Sequence, residues 1–383
     1  MYKNQLVKML RENGEVIERY HILMNKIPVF RANVFLDYAG RNSINTSKQY
    51  AHRLCKYFNF LEGKRNKTFL EANKSDILKF IDELIFGGKK AFYIGAGKVT
   101  YNTASHYLTV IKEFYCFLED EMGMDTELKL DTKRINAKSS FLYGQIWNMD
   151  IKTILNNRIS RTKGTKEYIK WYTDQEKEAI MYNFNTLRDK AIFLLTLEGL
   201  RIEEVLSLRV IDFNSIDMEI SIYKSKGREN GNVGAVVILP MDTVKVIDDY
   251  LFTERDESII RMQEKYPYSD FPNELFLNLK NNSFIGQPLS YRNYIKILKR
   301  VANKAGLDSE KIRTHSGRST KTMELLHHQV THPEDNLTDE QIRQMMRWAN
   351  PNSIQPYINT QDKRIAIVTA KRIQGYKEGN KDE

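Results

Sequence analysis

Tyr357 lies nine residues after Trp348, and both follow a His315-Ser-Gly-Arg318 tetrad and, further upstream, a Gly199-Leu-Arg201-Ile-Glu-Glu204 run. Together these residues supply a phenol, two guanidiniums, an imidazole and an indole donor, a combination that no packing requirement produces. It suits metal-free attack on a phosphodiester. Such attack needs a nucleophile, neutralisation of the non-bridging oxygens and a proton for the departing 5′-oxygen. A free phenol has a pKa of about 10, so only on the order of a thousandth of it is phenolate at neutral pH. It becomes useful where fixed cations stabilise its charge. Arginine suits that task, because its planar fork binds two phosphate oxygens and stays protonated.

The spacing also says how these groups can be aimed. Gly199 can take the left-handed conformation that a helix-to-helix turn needs. Glu204 sits three residues after Arg201, on the same helical face, where it can hold the guanidinium. His315 and Arg318 share that three-residue offset, and Thr314 or Ser316 can start their helix, whose N-terminus favours an anion. Lys226, in the turn Lys224-Ser-Lys226-Gly-Arg228, is the best mobile proton donor. Taken singly, each is more often a packing residue, a salt-bridge partner or exposed charge. Their joint occurrence carries the argument.

At these residues the chain resembles the tyrosine recombinases of the phage integrase family. In that family an Arg comes from a Gly-Leu-Arg-x-x-Glu box, a Lys from a β-hairpin turn, and a His-x-x-Arg box precedes a His or Trp nine residues before the nucleophilic Tyr. The matching positions are Arg201, Lys226, His315, Arg318, Trp348 and Tyr357, with Glu204 as the acidic companion. The His-Ser-x-Arg wording and the Trp look most like the Cre-like branch. The resemblance implies attack by Tyr357 on the scissile phosphate, a 3′-phosphotyrosyl link, a free 5′-hydroxyl, and reversal by a partner strand, with no cofactor, ATP or metal. It also implies a homo-tetramer on two double-stranded DNA sites that exchanges C-terminal segments, with accessory DNA-bending or directionality proteins as candidate helpers. Trp348 departs from the commoner His; an indole N–H can donate to phosphate but cannot shuttle protons. Pro356 restricts Gln355 to extended or turn geometry, which points to a nucleophile on a loop. The stretch 326–333 reads as an inserted loop.

The elements that must position these groups read as mainly α with a small antiparallel β-sheet in the catalytic domain. Residues 1–27 read as an amphipathic helical extension, through Leu6, Met9, Leu10, Ile17 and Tyr20. Helical patterns from Thr46, from a cap at Ser75 and from near Thr100 make 28–125 an all-α core-binding domain, which the family likeness covers less firmly than the boxes. Residues 126–172 are polar and basic and read as a linker. Thr173-Asp-Gln-Glu176 is a capping box that opens a catalytic domain over 173–383, and Thr338 with Gln341 is another. Within it, the β-branched runs 218–223 and 235–239 flank the Lys226 turn as a hairpin. The segment 365–373 has helical spacing and is the candidate exchange tail.

Composition agrees with a nucleic-acid partner. Lys and Arg number 59 against 49 Asp and Glu, a formal net charge of +10, which favours an acidic polymer. Hydrophobic residues make up 41% of the chain, enough for real cores. Cys55 and Cys116 form no disulfide scaffold or zinc site and fit a reducing cytosol. No signal peptide or membrane span is evident, so a cytoplasmic protein is expected, and the family resemblance implies a prokaryotic one associated with nucleoid DNA. Candidate backbone grips are Arg53, Lys56, Lys98 and Lys112. A helix from Tyr291 to Val301 carries Arg292 and Lys296, which can enter a groove. His327, His328 and His332 lack carboxylate or thiol companions for a metal site, and Gly95-Ala-Gly97-Lys98 lacks the outer positions of a phosphate loop. The alternatives are a relaxing DNA enzyme of the type IB topoisomerase kind, and a DNA-binding regulator without catalysis. The latter needs none of the phenol–guanidinium geometry.

Overall fold

A computed structural model describes residues 1–10, 14, 16–41, 43–87, 99–126, 170–223 and 234–373. The chain divides into two compact units, Met1–Glu167 and Tyr168–Glu383.

The first unit opens with a β-sheet, which corrects the helix expected over 1–27. Strands β1 (Tyr2–Leu10) and β2 (Val16–Met24) pair antiparallel from Tyr2 opposite Met24 to Leu10 opposite Val16, and β3 (Ile27–Pro28) adds to β2. The reason lies in the turns. Asn13-Gly14 is a hairpin signal, and Asn25 and Lys26 both adopt positive φ, 51° and 72°, as a two-residue hairpin turn requires. The apparently helical spacing of Leu6, Met9, Leu10 and Ile17 therefore spans a chain reversal. Tyr2 N donates to Asn59 Oδ1 (2.7 Å) and Asn59 Nδ2 donates back to Tyr2 O (2.9 Å), tying the sheet to the helices.

Those helices are α1 (Phe30–Gly40), which the sequence reading did not anticipate, α2 (Ile44–Phe60), α3 (Lys74–Phe86) and α4 (Tyr101–Asp120). The cap of α3 is Asn73, which makes a capping box with Asp76, two residues before the expected Ser75. Thr100 caps α4 as its position predicts. Phe35, Tyr57, Phe58, Phe80, Phe114 and Tyr115 fill the core among them.

The second unit starts with α5 (Asp174–Asn183), opened by the Thr173–Glu176 capping box. Tyr172, read from sequence as the end of a linker, is buried here, its backbone N–H donating to Thr320 Oγ1 at 2.8 Å. Helix α6 (Leu187–Leu197) runs through the core, followed by α7 (Ile202–Leu206) and an antiparallel sheet of β4 (Phe213–Asn214), β5 (Glu219–Ile222) and β6 (Ala235–Ile238). The two longer strands match the expected hairpin; its turn, with Lys226, lies outside the described residues. Next come α8 (Met241–Tyr250), α9 (Asp256–Lys265), α10 (Tyr291–Lys304), α11 (Ser316–Thr331), α12 (Asp339–Met345) and α13 (Gln355–Ile373).

Two more expectations change. The stretch read as an inserted loop is largely helix, because α11 continues to Thr331. His328 there bonds Asp335 (2.6 Å) and stacks on His332 (4.4 Å between centroids). Tyr357 is likewise on a helix and not a loop. Pro356 falls in the first turn of α13, where its missing N–H has no intrahelical partner to lose. Among the described residues, no helix is long and apolar enough to cross a membrane.

Candidate active site

Three short-range features aim the arginines. Gly199, between α6 and α7, has φ +84°, a conformation that costs other residues about 1–2 kcal/mol. It turns the chain so that Arg201 caps α7. From there Arg201 N donates to Glu204 Oε2 (2.9 Å) and Arg201 Nη1 to Glu204 Oε1 (2.6 Å), the i, i+3 partnership the spacing predicts. On the other side, α11 approaches α6 so closely that a Cβ on Gly317 would fall 2.4 Å from Thr196 Oγ1. This contact seats Arg318 over the Gly199 turn. Arg318 is 2% exposed, and its guanidinium donates to the carbonyls of Gly199 and Met346.

A third guanidinium, which sequence reasoning missed, closes the cluster. Arg347 is 6% exposed, and its Nη2 donates to Gly199 O (2.9 Å) and to Glu204 Oε2 (3.2 Å). It takes a left-handed φ of 52°. Its own carbonyl accepts from Arg201 Nη2 at 3.3 Å. Glu204, 3% exposed, thus serves Arg201 and Arg347 together. Burial works to raise the pKa of Glu204. The Arg201 amide and the two guanidiniums outweigh it and hold the carboxyl below its ordinary value. Among the described residues of this cluster, three guanidiniums face one carboxylate, an excess of two positive charges. Burial, then Arg201 and Arg347, accordingly push Arg318 down to about 9, with Glu204 and the Tyr357 oxygen pulling the other way. Arg318 remains charged at neutral pH, in a site short of anionic charge. A phosphodiester carries charge of the missing sign.

Tyr357 stands at this cluster within its own chain. Its hydroxyl lies 3.3 Å from Ser319 Oγ, on the residue after Arg318. Its ring stacks on the Trp348 indole, with centroids 5.6 Å apart and planes at 25°. Trp348 in turn lies against the Arg318 guanidinium, 5.7 Å from Cζ to the ring centre, and Met323, Leu326, Ile342, Met346 and Ile354 pack around it. Arg201, Glu204, Arg318, Trp348 and Tyr357 therefore form one connected group. His315 precedes α11 as its N-terminal flanking residue and is exposed, one helical turn before Arg318. Among the described residues, no group of three or more His, Cys, Asp or Glu side chains could hold a metal ion.

The proposed DNA contacts lie elsewhere. In the first unit, Arg53 and Lys56 both sit over the Tyr107 ring, at 6.0 and 5.4 Å, and Lys112 is half-buried on α4; Lys98 lies outside the described residues. In the second unit, Arg292 and Lys296 are exposed on α10. Lys296, with Lys280, Arg300 and Lys304, lines a cavity of about 650 Å³ that shares no residue with the arginine–tyrosine group.

Comparison with known proteins shows the family and the fold. Transposase A from transposon Tn554 of Staphylococcus aureus is 24% identical over 300 residues, covering 78% of this chain and 79% of the transposase. A tyrosine recombinase of Thermosipho africanus is 24% identical over 230 residues, 59% of this chain and 67% of that protein. In fold, the XerH site-specific recombinase bound to its difH substrate matches with a TM-score of 0.54 at 18% identity, covering 87% of this chain and 82% of XerH. The Tn1549 transposon integrase in complex with a circular intermediate DNA also matches with a TM-score of 0.54, at 13% identity, covering 87% and 98%. The profile of the phage integrase family matches residues 170–364, about half the chain and the whole arginine–tyrosine group, so this protein belongs to the phage integrase family of tyrosine recombinases.

Proposed function

We propose that this chain is a site-specific DNA recombinase in which Tyr357 is the nucleophile. The Tyr357 oxygen attacks the scissile phosphorus while the bond to the 5′-oxygen breaks. Arg201 and Arg318 neutralise the non-bridging oxygens, the Trp348 indole N–H donates to one of them, and the leaving 5′-oxygen takes a proton from Lys226. His315, at the start of α11, faces the same phosphate. The product is a 3′-phosphotyrosyl link and a 5′-hydroxyl; attack by a partner strand's 5′-hydroxyl reverses the step. Energy stays in the covalent bond, so the cycle consumes no cofactor.

The observation that carries this reading is the placement of the Tyr357 hydroxyl at Ser319, beside Arg318 and on Trp348, in one chain. Double-stranded DNA is the partner, gripped by the exposed cations of α10 and, in the first unit, by Arg53, Lys56 and Lys112. Four copies act on two sites, exchanging the helix beyond Tyr357, with DNA-bending or directionality proteins as helpers. The likeness to a transposase, a site-specific recombinase and a transposon integrase supports a role in moving a DNA element within a bacterial cytoplasm.

The test is a suicide substrate. Incubated with a nicked cognate site in the presence of chelator, the wild-type protein forms a covalent adduct on a denaturing gel, and Tyr357→Phe binds the site without trapping it. Equal trapping by both proteins removes Tyr357 from the reaction.

A further inference from the structure

Arg347 belongs to none of the motifs that mark the site, yet its side chain shares two anchors with the two catalytic arginines, Gly199 O and Glu204. Gly199 O is shared between Arg347 and Arg318. The Glu204 carboxylate is shared between Arg347 and Arg201. Two further anchors are consecutive carbonyls of its own segment. Arg318 donates to Met346 O and Arg201 to Arg347 O, and the left-handed backbone at residue 347 is what allows both to face the cluster.

A turn alone would be satisfied by glycine, which adopts φ near 52° without steric cost. Arginine stands there against three penalties: a Cβ in the left-handed region, a third cation beside two others, and an Nε that is buried and finds no hydrogen-bond partner among the described residues. Filling space would call for an apolar side chain. The guanidinium is explained by what it bridges, since only a fork reaches Gly199 O and Glu204 from one side while Nη1 returns to Met345 O at 3.1 Å.

We propose that Arg347 is a positioning residue for strand cleavage, which sets the spacing between Arg201 and Arg318 so that one phosphate engages both, without touching DNA itself. This inference rests on the recombinase reading above and names a further part of the same site. Losing the bridge lets Arg201 and Glu204 drift relative to Arg318, and a displacement of about 1 Å in such a pair lowers the rate on the order of 100-fold.

The experiment compares wild type, Arg347→Gly, Arg347→Lys and Tyr357→Phe, all as full chains. It measures single-turnover cleavage of a nicked site, affinity for that site by gel shift, and thermal unfolding. Arg347→Gly keeps the turn, so it is expected to bind DNA within about twofold of wild type and to unfold at a similar temperature, while cleaving about 100-fold more slowly. Lysine keeps the charge without the fork, and is expected to recover little of the loss. Wild-type cleavage by Arg347→Gly overturns the proposal. Full recovery by Arg347→Lys also does, because a point charge would then suffice. Parallel loss of cleavage, binding and thermal stability in Arg347→Gly overturns it too, in favour of a purely structural residue. If the wild type forms no adduct while Tyr357→Phe behaves identically, the recombinase reading falls first; if the wild type traps DNA and Arg347→Gly matches it, only the role of Arg347 falls.

Discussion

The Tyr357 ring lies on the Trp348 indole, 5.6 Å between centroids, and the Arg318 guanidinium lies 5.7 Å from the centre of the same indole. Trp348 thus contacts both the phenol and the cation, and in the proposed reaction it is also a hydrogen-bond donor. The two roles separate by substitution. Trp348→Phe keeps a stacking ring and removes the N–H, so cleavage should fall on the order of 100-fold, as for loss of one donor to a developing anion, with little change in unfolding. Trp348 is 8% exposed, so Trp348→Ala should also lower stability by about 3 kcal/mol, read as a shift in the urea midpoint.

Ser319 contributes one hydrogen bond to the phenol, at 3.3 Å. Its hydroxyl can accept from the neutral phenol or donate to the phenolate, so it holds the Tyr357 side chain in place in either state. A hydrogen bond of this kind is worth about 1 kcal/mol, or roughly fivefold in rate. Ser319→Ala should therefore slow covalent trapping about fivefold without changing gel-shift affinity. An unchanged trapping rate would mean that the phenol is held by the Trp348 stack alone.

The boxes around Arg201, Arg318 and Tyr357 were legible because their chemistry is local: an i, i+3 pair, a glycine turn and a fixed offset survive as patterns in the chain. Arg347 was not. Its importance comes from a left-handed backbone and from partners at residues 199 and 204, far away in sequence. Ser319 was missed for a similar reason, since its partner sits on α13. The first part of helix α13 was obscured by Pro356, which reads as a breaker until it is placed in a first turn, whereas the helical spacing over 365–373 was legible. At the other end of the chain, Leu6, Met9 and Leu10 mimic a helical face inside a strand, and the Asn13-Gly14 pair in the sequence was the stronger signal. The capping boxes at Thr173 and Thr338 were correctly legible because both halves of each lie within four residues.

Glu204 makes the site sensitive to acid. Its folded-state pKa is depressed, with burial opposed and outweighed by the Arg201 amide and the Arg347 and Arg201 guanidiniums. The unfolded chain therefore binds the proton more readily. The stabilisation is complete above the ordinary glutamate value of about 4.3 and is lost as pH falls through the lower folded value. Glu204→Gln leaves buried guanidiniums under-compensated, and should cost roughly 3 kcal/mol at neutral pH. The wild-type and variant urea midpoints should converge as the pH is lowered below the ordinary glutamate range. Midpoints that stay a constant distance apart across that range would show that the carboxylate charge does not stabilise the fold.

With the phenol docked at Ser319 of its own chain, cleavage should proceed in cis. Tyr357→Phe retains the arginines and lacks a nucleophile; Arg318→Ala retains the nucleophile and lacks a guanidinium. Each should bind DNA and fail to trap it. If every protomer uses its own Tyr357, a mixture of the two contains no complete site, and it stays as inactive as either variant alone. If α13 instead carries Tyr357 into a neighbour, some sites in the mixture combine the arginines of one variant with the phenol of the other, and adduct reappears on the Arg318→Ala chain. Size-tagged chains on a denaturing gel identify which one carries the DNA. The cis geometry predicts no adduct on either.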